Sequence, residues 1–127
     1  MMAPGKESLL RVSLFILALL PGPAWSTDFF GAIAYSPRTG ADGWAKDHPS
    51  QEAAERAALS ACGQSAGDCR GVLWFKNGCG ALAVSSKVYG WGWGTTQALA
   101  DAEAIKACTK HALGCKVTRQ LCTTGAK

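Results

Sequence analysis

Two histidines carry the acid–base chemistry that hydrolysis would need, and the sequence gives neither of them a clear partner. His48 lies between Asp47 and Pro49, and His111 follows a predicted helix, where a cation is favourable without any function. A catalytic triad also needs a nucleophile beside such a base. We expect that the protein is not an enzyme. A cell-envelope hydrolase that uses His48 with Asp47 or a helix carboxylate is the alternative hypothesis.

The cysteines are the other reactive residues, and their number and spacing favour disulfides over metal or redox sites. None of them forms the CxxC pair that zinc sites commonly use, and an even count in a short chain is typical of exported proteins. We therefore expect three disulfides, no metal and no other cofactor. The six cysteines are Cys62, Cys69, Cys79, Cys108, Cys115 and Cys122.

The first 26 residues have the pattern of a secretory signal peptide. Lys6 and Arg11 precede the apolar run Val12–Leu20, and Ala24–Ser26 offers small residues for cleavage. The apolar run is too short to span the roughly 30 Å core of a bilayer as a helix. We predict a signal peptide over 1–26, a single mature domain over 27–127, and a secreted or periplasmic location. No stable membrane span is expected after cleavage.

The chain contains an internal repeat that supplies the elements around these residues. Gly31–Ala34 matches Gly80–Ala83 at an offset of 49 residues, and the pair Gly43-Trp44 matches Gly92-Trp93 at the same offset. The helix residues and two cysteines of each unit then match at an offset of 46. A single three-residue length difference before the helix would account for the change. Unit one covers about 30–76, and unit two about 79–123.

Each unit is predicted to form two strands, a helix and a third strand. In the first strands, Ala32–Tyr35 and Ala81–Val84, larger residues alternate with alanines, which predicts one small face. The second strands pass through Gly43-Trp44 and Tyr89–Trp93 and complete hairpins. The third strands are Gly71–Phe75, whose apolar run favours a central position, and Lys116–Leu121, whose alternation favours half-exposure.

The helices are predicted from their caps and their composition. Ser50 would cap Gln51–Cys62, and Thr96 would cap Gln97–Lys110. The first helix is rich in alanine, so both helices are expected to lie close against the alanine faces of the strands. Units of about 45 residues bury too little surface alone. We therefore predict one α+β domain with pseudo-twofold symmetry, braced by disulfides.

The repeat also restricts how the cysteines pair. Cys62 and Cys69 bracket the loop after the first helix, and Cys108 and Cys115 bracket the same loop after the second. Local pairing within each loop is the simplest of the fifteen possible arrangements. Cys79 and Cys122 then pair and close unit two.

The order of glycine, tryptophan and cysteine along the chain resembles a known bacterial family. The segments are GAIAYSPRTGADGW, an alanine-rich helix ending in cysteine, DCRGVLWFKNGCGALAV and YGWGWG. They are similar to the secreted family called domain of unknown function 4189, over about residues 30–123. The resemblance implies a small exported protein with a duplicated strand-and-helix fold. It implies no catalytic residues.

An aromatic row is the best candidate for a binding site. Tyr89, Trp91 and Trp93 alternate with glycines, so they should share one face of a strand. In the repeat, Trp93 matches Trp44, which favours a structural position. Trp91 matches Asp42 and Tyr89 matches Gly40, so unit one lacks these two aromatics.

We expect Tyr89 and Trp91 either to contact a partner or to pack against the other unit. Aromatic side chains of this kind stack on sugars or anchor proteins. The hypothesis is a non-enzymatic binding module for a protein or glycan, or an inhibitor or immunity protein of an exported enzyme. The net charge of +4 is mild and dispersed, so nucleic acid is not an expected partner. Trp74 and Phe75 are expected in the core.

Overall fold

A computed structural model describes residues 27–127, so the predicted signal peptide over 1–26 lies outside the described residues. No helix in the described part of the chain is both long and apolar enough to cross a membrane. The elements are β1 (Phe30–Tyr35), β2 (Asp42–His48), α1 (Gln51–Gly63), β3 (Arg70–Lys76), β4 (Cys79–Val84), β5 (Tyr89–Gly94), α2 (Gln97–Thr109) and β6 (Lys116–Cys122).

The strands form two antiparallel sheets of three, one from each unit. Their orders are β2-β1-β3 and β5-β4-β6, so the first strand of each unit is central. This arrangement confirms the α+β class and the two similar units. The prediction that Gly71–Phe75 forms a central strand is wrong, because β3 lies at a sheet edge. Its apolar run arises because Phe75 packs against the other sheet, while Trp74 contacts Phe30 on the opposite face.

The alanine faces receive the helices, as predicted. In unit one, Ala32 and Ala34 pack on α1, and in unit two, Ala81 and Ala83 pack on α2. Small side chains permit this close approach. A Cβ added at Gly43 would lie 2.3 Å from the carbonyl oxygen of Ala58 in α1, so glycine is required there.

The larger faces of the two sheets pack against each other. Ile33 and Phe75 of unit one and Leu82 and Leu121 of unit two belong to one buried cluster. Each side chain of this size contributes about 1.5–3 kcal/mol when fully buried. The domain therefore has four layers, in the order helix, sheet, sheet, helix. The edge strands of one sheet lie next to the edge strands of the other.

The predicted helix caps are confirmed. The side chain of Ser50 accepts a hydrogen bond from the Ala53 N–H at 3.2 Å, and that of Thr96 accepts one from the Leu99 N–H at 3.2 Å. Each cap partners an N–H group that has no acceptor within its own helix. The helices end within one residue of the predicted ends.

The three predicted disulfides are also confirmed. They are Cys62–Cys69, Cys108–Cys115 and Cys79–Cys122. The first two close the loop between helix and third strand in each unit. The third joins neighbouring residues of β4 and β6, and its counterpart in unit one is the cross-strand pair of Phe30 and Lys76.

The residue-by-residue correspondence between β2 and β5 differs from the one predicted from the repeat. Trp44 lies opposite Ile33, and Trp91 lies opposite Leu82, the counterpart of Ile33. A Cβ on Gly90 would meet Ala104 and Cys108, the counterparts of the residues that Gly43 meets in α1. Gly43-Trp44 therefore corresponds to Gly90-Trp91, and the predicted match with Gly92-Trp93 is wrong.

The length difference between the units is consequently divided between two places. Six residues separate Tyr35 from Asp42 in the first hairpin, and four separate Val84 from Tyr89 in the second. A further residue is accommodated by a register shift where β2 approaches His48. Bulges and turns absorb such changes without disturbing the core.

Candidate functional site

The structure places Tyr89, Trp91 and Trp93 on one face of β5, directed away from α2. The glycines between and after them face the helix, where a Cβ on Gly92 would lie 2.4 Å from the Ala104 backbone nitrogen. The aromatic face is therefore the one directed toward the other sheet. Because β5 is an edge strand, this face is only partly covered.

The three aromatics differ in exposure, and two expectations need correction. Trp93 is 58% exposed, so its predicted structural position is wrong. The residue opposite Trp93 on β4 is Gly80, which offers no side chain to pack on. The counterpart of Trp93 in unit one is Lys46. Tyr89 is half-buried, with its ring centroid 5.0 Å from that of Tyr35, so it packs against the other unit. Its counterpart is Asp42, not Gly40.

Trp91 is 46% exposed and lies beside Tyr89, with ring centroids 6.1 Å apart. Its counterpart is Trp44, so the prediction that unit one has aspartate at this place is wrong. Phe75 is buried as predicted. Trp74 is 44% exposed and is not a core residue, because it lies on an edge strand, where its ring contacts Phe30.

A groove of about 560 Å³ runs between β3 and β5, the adjacent edges of the two sheets. We call it the tryptophan groove, because Trp91 and Trp93 of β5 and Trp74 of β3 all line it. Its volume lies within the range of about 300–1,000 Å³ that is typical of ligand sites. The lining residues are Val72, Leu73, Trp74, Phe75, Lys76, Trp91 and Trp93.

The β3 wall of the groove consists of five consecutive residues. Neighbouring residues of a strand point to opposite faces, so a wall made of consecutive residues follows the edge of the strand. Among the strands of residues 27–127, none neighbours β3 on this side of its sheet. The groove therefore presents a strand edge on one wall and two tryptophan side chains on the other.

Basic side chains lie at both ends of the groove. Lys76 Nζ lies 3.1 Å from Asp28, in a solvent-exposed ion pair, and 5.8 Å from the centroid of the Phe30 ring. At the other end, Trp91 also borders a second cleft of about 410 Å³ that includes Lys87 and His111. No aspartate or glutamate is among the described residues that line these two clefts.

Tyr35 and Tyr89 line the second cleft, and the hydroxyl of Tyr35 is a neutral group. Burial, followed by the proximity of Tyr89 and Asp42, raises the pKa of Tyr35 above its ordinary value. Its hydroxyl therefore stays protonated across the physiological range and can donate or accept a hydrogen bond. The site is apolar and aromatic along its length and carries positive charge at its ends.

The opposite edge of the molecule, between β2 and β6, is closed by an ion pair. Arg119 donates to Asp42 through Nε at 2.7 Å and Nη2 at 3.2 Å, and its guanidinium lies 6.0 Å from the centroid of the Trp44 ring. The hydrogen bonds to Asp42 raise the pKa of Arg119 above its ordinary value. We call Asp42, Trp44 and Arg119 the ion-pair edge.

Asp47 and His48 line neither the tryptophan groove nor the second cleft, whereas His111 lines the second cleft. Asp47 is on β2, where its two carboxylate oxygens accept hydrogen bonds from the N–H of Thr124 at 2.8 Å and its hydroxyl at 2.6 Å. These bonds lower the pKa of Asp47. His48 is the next residue on β2, and His111 follows α2. Among residues 27–127, no group of three His, Cys, Asp or Glu side chains could hold a metal ion.

Comparison with known proteins identifies the family. The family model described as Domain of unknown function (DUF4189) matches residues 30–122. The chain belongs to this family. The match includes both sheets, both helices and all residues that line the tryptophan groove, so the groove is part of the DUF4189 domain.

Mycobacterial proteins are similar to this DUF4189 chain. Protein Rv1269c of Mycobacterium tuberculosis and Protein Mb1300c of Mycobacterium bovis are each 42% identical over 80 residues, which is 63% of this chain and 61% of either relative. The NMR structure of Rv1813c from Mycobacterium tuberculosis matches with a TM-score of 0.54 and 28% identity, over 82% of this chain and 80% of that one. The solved structure supports the fold described above.

Sequence reasoning missed the β3 wall of the groove. The signal that could have found it is in the repeat, because the counterparts of Leu73 and Trp74 in unit two are Arg119 and Gln120. Unit one is apolar where unit two is polar at these positions. Applied to the third strands, the comparison between units would have pointed to Trp74 as well as to the aromatic row.

Proposed function

We propose that this DUF4189 protein is an exported, non-enzymatic binding module, and that the tryptophan groove is its contact surface. Trp91 and Trp93 are the principal contact side chains, and Tyr89 supports Trp91 from the inter-sheet core. The observation that carries the proposal is the exposure of Trp74, Trp91 and Trp93 around a single groove. Tryptophan dominates binding hot spots, and clustered exposed apolar side chains mark interaction sites.

Export is supported by two features of the chain. Three disulfides brace the domain, and such bonds persist in oxidising compartments outside the cytoplasm. The basic and apolar pattern of the first 26 residues has the order of a signal peptide. The partner is a protein or a glycan of the periplasm or the exterior, and an exported enzyme that the module inhibits is one form of it.

The test compares two tryptophans at equivalent positions. The protein, produced from its full coding sequence, is immobilised and exposed to cell-envelope fractions and to a glycan array, alongside Trp91→Ala, Trp93→Ala and Trp44→Ala variants. Trp44 is the matched control, because it occupies the same register as Trp91 on the opposite edge and is 43% exposed against 46%. We expect partner retention to be lost in the Trp91 and Trp93 variants and kept in the Trp44 variant.

Stability measurements on the same variants separate binding from folding. We expect Trp93→Ala, the most exposed of the three, to change the free energy of unfolding by less than about 1 kcal/mol. Retention that survives both groove variants would overturn the proposal, as would a loss of retention that follows unfolding in every variant.

A hydrolase remains the alternative, and no observation in the site favours it. The oxygens of Asp47 accept from Thr124, which orients that carboxylate for a structural link. Activity of the wild type on peptidoglycan or ester substrates, compared with a His48→Ala variant, decides the matter. A rate that depends on His48 would replace the binding proposal with the hydrolase.

A further inference from the structure

The edge of β3 exposes main-chain groups. It is long enough, and suitably placed, for a further strand to pair with it. β3 spans seven residues, and within the part of the chain that the structure describes, no strand pairs with it on the groove side. An edge strand presents unpaired N–H and C=O groups at regular intervals, which is a template for an added strand. A glycan has no matching array of donors and acceptors, whereas an extended peptide has one at the same repeat.

The tryptophans on the opposite wall of the groove are spaced like alternate residues of a strand. Trp91 and Trp93 are two residues apart on β5 and lie on the same face. Alternate side chains of an extended peptide also lie on one face, two residues apart. A peptide that pairs with β3 would therefore place successive side chains of one face against successive tryptophans, and its specificity would come from those contacts.

The charge around the groove favours an acidic peptide. Arg70 is exposed at the start of β3 and Lys76 at its end, and Lys87 lines the adjoining cleft. The ion pair of Lys76 with Asp28 is solvent-exposed, and such pairs contribute little, so it does not prevent Lys76 from meeting another anion. Complementary charge would thus lie at the two ends of a bound segment.

We propose that the partner is an extended peptide segment that adds as a fourth strand to the edge of β3, with apolar side chains against Trp91 and Trp93 and acidic residues at its ends. The resulting sheet would have the order β2-β1-β3-peptide. This inference rests on the proposed function, because it names the class of partner that the tryptophan groove binds.

The test begins with peptides selected on the whole protein. A phage-displayed library of random linear peptides, each about twelve residues long, is selected on the wild type and counter-selected on Trp91→Ala. We expect the enriched peptides to carry β-branched or aromatic residues at alternate positions and Asp or Glu near both ends. The best peptide is then synthesised in versions N-methylated at one residue at a time.

Strand addition predicts an alternating pattern of losses. N-methylation should weaken binding about tenfold at every second residue and much less between them, because only alternate N–H groups of the peptide would face β3. Bound peptide should also slow amide hydrogen exchange at alternate residues of β3. The Trp44→Ala variant should bind the peptide as tightly as the wild type.

Each other outcome overturns a defined part of the argument. Losses that do not alternate, or a selection without enrichment, overturn the strand-addition inference, and the binding function still stands if glycan binding then depends on Trp91. Peptide binding that is equal in Trp91→Ala and Trp44→Ala overturns both. A dimer in sedimentation that protects β3 and excludes the peptide would identify a second copy of this chain as the occupant and overturn the inference.

Discussion

The tryptophan groove and the ion-pair edge occupy equivalent places in the two units, yet one is open and the other is closed. Leu73 on the open side corresponds to Arg119 on the closed side, and Tyr89 corresponds to Asp42. Arg119 and Asp42 join the two sheets across their edges with two hydrogen bonds. Leu73 and Tyr89 instead turn into the inter-sheet core, so their edges remain uncovered.

The comparison indicates how a duplicated domain can acquire a binding surface without losing its scaffold. Both edges retain a tryptophan at the same register, Trp44 or Trp91. A guanidinium lies over the first, whereas the second borders an open groove together with Trp93, whose counterpart is Lys46. A few residue differences between the units therefore stabilise one edge and leave the other open to a partner.

The two edges are equivalent only if β2 and β5 have the same register. Substitutions at two glycines should have the largest effect and test this register. A Cβ at Gly43 or Gly90 would lie 2.3 Å or 2.4 Å from the nearest helix main-chain atoms, which cannot move aside as a side chain can. We expect Gly43→Ala and Gly90→Ala each to lower the free energy of unfolding by about 3 kcal/mol, measured by chemical denaturation.

Gly71→Ala is the control for those variants, because a Cβ there would have no atom of residues 27–127 within 4 Å. It should change stability by less than about 0.5 kcal/mol. If alanine were tolerated at Gly90 but not at Gly43, the two strands would not occupy equivalent positions, and the comparison of the edges would fail.

Much of the scaffold could be predicted because its signals are local and occur twice. Ser50 and Thr96 precede alanine-rich segments, and the cysteines recur at equal spacing, so each unit supported the interpretation of the other. The third disulfide, between Cys79 and Cys122, followed by elimination once the repeat had assigned the other two.

The register of β5 could not be predicted, because its sequence repeats every two residues. Gly90-Trp91 and Gly92-Trp93 match Gly43-Trp44 equally well, and a slide of two residues keeps every side chain on the same face. The strand register and the contacts of Gly43 and Gly90 with the helices distinguish the two matches. The assignment of Trp93 as a structural residue depended on the wrong match.

The edge position of β3 was also hidden from the sequence. An apolar run such as Gly71–Phe75 predicts that both faces of a strand are covered, but it does not report whether both edges are paired. In this fold the other sheet covers Phe75 on one face, and Trp74 packs beside Phe30 on the other. The candidate site lies along the unpaired edge, so one of its walls was missed.

The ion-pair edge should be stabilised by charge, whereas the tryptophan groove should not. Asp42→Asn leaves the half-buried Arg119 without an anionic partner, and we expect a loss of about 1 kcal/mol. High salt screens the ion pair, so the difference from the wild type should shrink in about 1 M NaCl. Denaturation at low and high salt measures both effects.

Binding provides the control for this variant. Because Asp42 lies on the opposite edge, Asp42→Asn should leave ligand affinity at the tryptophan groove unchanged. A salt-independent difference in stability would contradict the electrostatic account of the closed edge. A change in affinity would contradict the separation of the two edges.

The smallest effect is expected from the second link across the closed edge, between Asp47 of β2 and Thr124 after β6. Hydrogen bonds from Thr124, first from its hydroxyl and then from its N–H, hold the pKa of Asp47 below its ordinary value of 3.8. A carboxyl whose pKa is lowered by folding stabilises the fold above its ordinary pKa, and this contribution is lost as the pH falls through the lowered value. Asp47→Asn should therefore be less stable than the wild type near neutral pH, and the difference should be lost as the pH falls through the lowered pKa of Asp47.

The substitution isolates the charge, because asparagine keeps an oxygen that can accept from Thr124. The Ser36 hydroxyl similarly lowers the pKa of Asp68, and that contribution remains in both proteins and cancels from the comparison. Thr124→Val removes the hydroxyl donor and should reduce the same pH-dependent difference without abolishing it. If the difference between wild type and Asp47→Asn stayed constant from neutral to acidic pH, the link would act through packing alone. The closed edge would then owe its charge-dependent stability to Arg119 and Asp42.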